Sequence, residues 1–309
     1  MGWILSKPAA DRRKKCTDWA IFIRFGRFGK KNRQLRPPSR HLLPESSCES
    51  SPLFGIINAM ASSKVSPLAI IVFAATAVVL FVNYFAVGML DASAKNPISA
   101  QFPTPVTPAG YVATLLTIIY LLTIGFAIFQ MLPGKAAAFA GIRITYILTC
   151  VLNCLWVVAW YRSMFLLSAF LIVALLGTLV AILSSFKNVG TAAEALFAKG
   201  TFGLYAGWAL VTALVNILVL LRSQEAQMSD GAYQTLGVIC LLIAGASAVL
   251  ARWKLNNYFF PLAIAWIAAA IGIRQSGETL VVVFAAVTMI TGLVTAATFI
   301  LTLPTRTYT

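Results

Sequence analysis

Apolar runs of about 20 residues recur eight times along this chain and leave it few folds to choose from. A hydrocarbon layer about 30 Å thick is crossed by roughly 20 helical residues, and no water there can satisfy exposed backbone, so each run predicts a transmembrane helix. The runs fall near 66–90, 111–132, 142–161, 164–185, 203–222, 232–251, 256–273 and 278–302. Only Arg162 and Ser163 divide the third from the fourth, and the seventh is short and carries Pro261. Seven spans is therefore the alternative, should one pair merge or one segment re-enter; eight is the expected count. The fold class that follows is all-α, a polytopic membrane helix bundle. Composition agrees, with 60% hydrophobic and 11% charged residues among 309 and a mean hydropathy of +0.86. Collagen-like, disulfide-rich secreted and disordered classes are excluded on the same ground.

The formal charge of +15 is unevenly placed, since 13 of the 24 Lys and Arg lie within residues 1–65. That segment holds Arg12-Arg13-Lys14-Lys15 and Lys30-Lys31 against only Asp11, Asp18, Glu45 and Glu49. Nucleic-acid binding would need a basic face on a folded module, so no nucleic acid partner is expected. Three readings of this basic tail stand side by side: a transit peptide, rich in Arg and Ser and poor in acids; a polybasic arm drawn to anionic lipid; or an extension preceding a natural start at Met60. The positive-inside bias sets the expected orientation. With the N-terminus inside, the tail joins Lys135, Arg143, Lys187, Lys199, Arg252, Lys254 and Arg306, against Lys95, Arg162, Arg222 and Arg274 outside. Both termini are thus expected on the cytoplasmic side, or the stromal or matrix side of an organelle.

No Asp, Glu, Lys or His sits near the middle of any run, and the single histidine, His41, is in the tail. Proton relays and carboxylate-coupled transport depend on such groups, and zinc or di-iron sites need ligands that are missing here. A haem bound inside the bundle lacks its histidine, and a retinal lacks its lysine. Five cysteines show no metal-ligand spacing, and Cys150 and Cys154, one helical turn apart, read as packing. No catalytic residue, metal or required cofactor is expected, and the protein is not read as an enzyme.

What the runs do contain is patterned. Asn153, Trp156 and Trp160 share one face of the third helix, and Tyr205, Trp208, Thr212 and Asn216 share one face of the fifth. Between the first two spans lies Phe102-Pro103-Thr104-Pro105-Val106-Thr107-Pro108-Ala109-Gly110-Tyr111, stiffened by prolines that fix their own backbone and bias the preceding residue away from helix. Packing accounts for part of this pattern: Asn153 and Asn216 read as interhelical ties and Trp160 as an interfacial belt residue, while pocket lining and packing weigh equally for Trp156 and Trp208.

The order Pro108-Ala109-Gly110-Tyr111, then Tyr120, Asn153-x-x-Trp156, and Tyr205-x-x-Trp208 followed by Asn216 resembles the tryptophan-rich sensory protein family (TspO/MBR), also called the translocator protein family. The resemblance covers the first five spans. It implies a five-helix core with a pocket near the first loop for tetrapyrroles, sterol-like or other flat hydrophobic ligands. Leu116 stands where that family commonly has a tryptophan, and the loop carries Tyr111 but no tryptophan, which argues against indole-dependent photochemistry. Three further spans follow, so the expected organisation is a tail (1–65), a five-span core (66–222) and a three-span extension (223–309) of an eight-span relative.

The expected function is a membrane receptor or carrier of a flat hydrophobic ligand, possible ligands including a porphyrin. Its site would comprise Pro108, Gly110, Tyr111, Tyr120, Asn153, Trp156, Tyr205, Trp208 and Asn216 between spans two, three and five. A scaffold without a small ligand and a solute transporter are the alternatives. The three-span extension, rich in small residues, is read as a packing belt or a homodimer face.

Overall fold

The computed structural model describes residues 66–85, 98–132, 135, 138–186, 191–224 and 228–298. The basic tail, Lys95, Lys187 and Arg306 lie outside the described residues. Eight long helices carry the chain: α1 (Pro67–Phe85), α2 (Ala113–Phe129), α3 (Arg143–Tyr161), α4 (Phe165–Ser184), α5 (Thr201–Ser223), α6 (Asp230–Leu255), α7 (Phe259–Arg274) and α8 (Thr279–Ala297). No strand occurs among the described residues. Seven of the eight, with the turns that lead into them, are long and apolar enough to cross a membrane; α7 is the shorter one.

The ends of these helices follow local chemistry. Arg162 and Ser163 do divide α3 from α4, because Ser163 takes a left-handed backbone (φ 56°) and Met164 N–H reaches back to Ala159 O at 2.9 Å. Ser229 caps α6 by accepting from Ala232 N–H at 3.3 Å, and left-handed Asn256 (φ 48°) ends it. Pro261 sits in the first turn of α7, where a missing N–H leaves no helical bond unmade.

The first five helices close a ring in which α1 packs on α2 and α3, α3 on α4, α4 on α5, and α5 on α2. Helix α7 packs against α5, α6 and α8, and α8 against α6. At 16 residues α7 is about 24 Å long, less than the hydrocarbon thickness. It is apolar all round: Phe260, Ala263, Ile264, Ile267, Ala268 and Ile271 are buried against its neighbours, while Leu262, Trp266 and Ile273 are exposed on the side left open to lipid. Gly207 of α5 and Gly292 of α8 let their backbones approach α7, with added Cβ atoms meeting Phe260 O at 2.9 Å and Pro261 O at 2.7 Å respectively.

Lipid offers polar groups no partner, so the ring is tied internally. Thr76 and Tyr146 hydroxyls bond at 2.7 Å and Asn83 donates to Asn153 Oδ1 at 2.7 Å, both joining α1 to α3. Thr149 donates to Thr178 at 3.0 Å (α3 to α4), and Thr201 donates to Leu122 O at 3.2 Å (α5 to α2). Arg143 is buried at the start of α3, donating to Gln130 Oε1 at 2.9 Å, while Gln130 donates to Ala69 O at 3.1 Å. The outward faces are apolar instead: Phe81, Ile144, Phe170 and Val294 are each more than 60% exposed. An apolar surface on that scale is covered by lipid chains, not water.

Candidate ligand pocket

The proline-rich loop between α1 and α2 is folded rather than merely extended. Thr107 N–H bonds Thr104 O at 3.1 Å, and the two threonine hydroxyls bond each other at 2.9 Å. These bonds turn Val106 inward, where it is buried against Val211, Leu241 and Ile271. The C-terminal helices then hold the loop from outside the five-helix ring. Ala109 N–H donates to Ala270 O of α7 at 2.9 Å, Gln275 Nε2 donates to Thr104 O at 2.9 Å, and Pro105 lies on Gly237 of α6, whose missing side chain makes room for the ring.

Beneath Pro108 lies a cavity of about 170 Å3 walled by Trp156 and Trp160 of α3, Trp208, Val211, Thr212, Val215 and Asn216 of α5, Val112, and Ile267 of α7. The indoles are mutually oriented: Trp156 meets Trp208 edge-to-face at 5.5 Å and stacks on Trp160 at 6.4 Å, and Trp160 meets Phe165 edge-on at 5.8 Å. Few polar groups share this wall. Asn216 is buried; its Oδ1 accepts from the Ser168 hydroxyl of α4 and from Trp156 Nε1 at 3.4 Å, and its Nδ2 donates to Thr212 O at 2.8 Å. One amide therefore fixes an indole of the pocket and joins α3, α4 and α5.

The sequence-derived residues divide into three groups. Pro108, Trp156, Trp208 and Asn216 come together at the cavity. Tyr120 and Tyr205 instead line a much smaller void with Thr76, Thr123, Tyr146 and Cys150, although Tyr205 also packs on Trp208 at 6.0 Å. Asn153 is buried in its tie to Asn83, Gly110 is exposed, and Tyr111 turns toward Trp266 of α7, 6.2 Å away and edge-on. The cavity is thus bounded by α3, α5, α7 and the loop, with α2 represented only through Val112 in the turn that precedes it.

Sequence reasoning left Trp160 at the membrane interface, although its place on the Asn153–Trp156 stripe was a usable signal. Ile267 gave none, because nothing in an apolar helix says which residue faces a neighbour's cavity. No group of three or more His, Cys, Asp or Glu suited to a metal occurs among the described residues, and Cys150, Cys154 and Cys240 are unpaired.

The family described as TSPO-like protein matches residues 69–300. The chain belongs to this family. The match runs through α6, α7 and α8 as well as the ring, and with seven long apolar helices it makes the chain a multi-pass integral membrane protein of the TspO type. Comparison with curated proteins and with solved structures gives no match.

Proposed function

We propose that this TSPO-like chain is a membrane receptor or carrier for a flat hydrophobic ligand, of the tetrapyrrole or sterol-like class, held at the indole-lined cavity. The supporting observation is the convergence of Trp156, Trp160 and Trp208 on one space whose few polar groups include the Asn216 amide. Apolar walls with a few orienting polar groups are what such ligands require. Size sets the mode of binding. A cavity of about 150 Å3 takes a single benzene ring, and ligand pockets commonly span about 300–1,000 Å3. The space of about 170 Å3 therefore admits one ring edge against the wall that Trp156, Trp160 and Trp208 form, and the rest of a tetrapyrrole extends out of the cavity. The ligand gains by apolar burial, at about 25 cal/mol per Å2. No catalytic step is assigned to the site.

The orientation proposed for this chain puts the loop end outside. Lys135, Arg143, Lys199, Arg252 and Lys254 gather at the opposite end, where exposed Trp253 lies 4.3 Å from Lys254 in the manner of an interfacial belt. The test of function is equilibrium binding of protoporphyrin to the purified, detergent-solubilised chain, beside Trp156→Leu and Trp208→Leu variants that retain the wild-type helical spectrum. Saturable binding weakened at least tenfold in both variants supports the reading. Equal binding in all three proteins, or none in the wild type, sinks it and favours a scaffold whose indoles only pack.

A further inference from the structure

A second cavity, of about 350 Å3, opens at the loop end and shares no residue with the indole-lined one. Its wall is built from the loop (Thr104, Pro105, Thr107), the last turns of α5 and α7 (Arg222, Arg274), the turn after α7 (Gln275, Glu278) and the start of α6 (Asp230, Tyr233, Gln234). Five charged side chains are described at this end of the bundle: Arg162, Arg222, Asp230, Arg274 and Glu278. All but Arg162 line this one cup.

Helix ends attract charges of these signs, Arg at a C-terminus and Asp or Glu at an N-terminus, and that preference alone would scatter them around the rim. Two further features set the cup apart. Among the described residues no ion pair within 4.0 Å joins either arginine to either acid, so both signs face a shared space without neutralising each other. The wall is also held in place by contacts of its own. Arg222 lies over the Tyr233 ring at 5.2 Å, Gln234 Nε2 donates to Glu278 Oε2 at 2.5 Å, and Gln275 Nε2 is bound to Thr104 O. Preorganised walls lower the cost of ordering on binding.

We infer that this cup binds a phosphoethanolamine group, the head of a zwitterionic membrane phospholipid, with the phosphate between Arg222 and Arg274 and the ammonium at Asp230 and Glu278. Guanidinium groups match phosphate oxygens in pairs. A primary ammonium donates three hydrogen bonds and suits carboxylates. A quaternary choline suits an aromatic cage instead, and the only aromatic ring of this wall, Tyr233, already faces Arg222. The position is that of a headgroup, since the cup is made where four membrane helices end. The inference uses none of the residues of the indole pocket and stands or falls separately from it.

The test is native mass spectrometry of the full chain in detergent, exposed to equal amounts of phosphatidylethanolamine, phosphatidylcholine and phosphatidylglycerol. The ethanolamine lipid is expected to be retained at least fivefold over the other two. Arg222→Gln with Arg274→Gln should abolish that retention, and Arg274→Lys, which keeps the charge but loses the paired geometry, should give an intermediate loss. Glu278→Gln should erase the preference over phosphatidylglycerol while leaving phosphate binding. Displacement of the lipid by millimolar phosphoethanolamine would show that the head alone suffices; variant-sensitive retention without displacement would assign the site to the intact lipid. Equal retention of the three lipids, or retention unchanged in the arginine variants, overturns the inference.

Discussion

Replacing Gly237 by alanine tests whether α6 holds the loop over the cavity. A Cβ at that position would stand 2.7 Å from both Cβ and Cγ of Pro105, against the 3.4 Å at which ordinary contact begins. The proline ring has no flexible end to swing aside, so the loop must retreat by about 0.7 Å or the helix must shift. Overpacking of this kind costs about 1–3 kcal/mol, and alanine returns about 1 kcal/mol of helix propensity relative to glycine. The expected net loss is about 0–2 kcal/mol, small for the fold but concentrated on the segment that carries Pro108. At about 1.4 kcal/mol per factor of ten, protoporphyrin binding should weaken by up to about 30-fold while the melting temperature falls only a few degrees. Gly231→Ala is the matched control on the same helix, because nothing lies within 4 Å of its added Cβ. Thermal unfolding and fluorescence titration of both variants in one detergent read the difference. Equal behaviour of the two variants in both assays would refute the argument that the loop is pinned by α6.

Gly292→Ala should be more damaging to stability than Gly237→Ala, with overpacking at the top of the about 1–3 kcal/mol range and a net loss of about 2 kcal/mol, because its Cβ meets backbone of α7 at Pro261 O (2.7 Å) and Ala265 N (3.0 Å); thermal unfolding checks it. Gly272→Ala, whose Cβ would lie 3.5 Å from Ala285, should be close to neutral in the same assay. Asn153→Leu is expected to cost about 1–2 kcal/mol by removing the acceptor of the buried Asn83 amide, and adding Asn83→Leu should recover part of that loss. Lys135→Ala breaks a 2.5 Å ion pair with Glu194 that is partly open to solvent, so a loss below about 1 kcal/mol is expected, and less at high salt.

The helices were legible because lipid imposes a length on each apolar run: the boundaries expected at 142–161 and 164–185 differ by a residue or so from α3 and α4. The hairpin at Arg162-Ser163 was the favoured reading for the same reason, since the two runs together are about twice the length that crosses the bilayer and a charged residue at their centre is costly in hydrocarbon. Stripes placed Trp156 with Trp160 on one face of α3 and Trp208 with Asn216 on one face of α5, because residues at such spacings share a helix face whatever surrounds it, while the meeting of the two faces at one pocket was what the family resemblance implied. What periodicity leaves out is which faces meet. Tyr111 was assigned to the pocket from its place in the loop, yet it turns to Trp266 of α7, a partner 155 positions away in sequence. The role of α7 was equally hidden. Apolar residues on every side do not tell its buried face from its lipid face, and only the packing shows that Ile267 reaches the cavity and that Ala270 O receives the loop's N–H.

The central claim is that a flat hydrophobic ligand enters the cavity walled by Trp156, Trp160 and Trp208. Its most direct test removes the indole signals from elsewhere. In a variant with Trp3, Trp19, Trp253 and Trp266 changed to phenylalanine, only those three tryptophans remain to report. Titration with protoporphyrin should quench their emission saturably, with one ligand per chain, and a single-ring competitor sized to the cavity should reverse the quenching. Linear, non-saturating quenching that the competitor leaves unchanged would contradict the account.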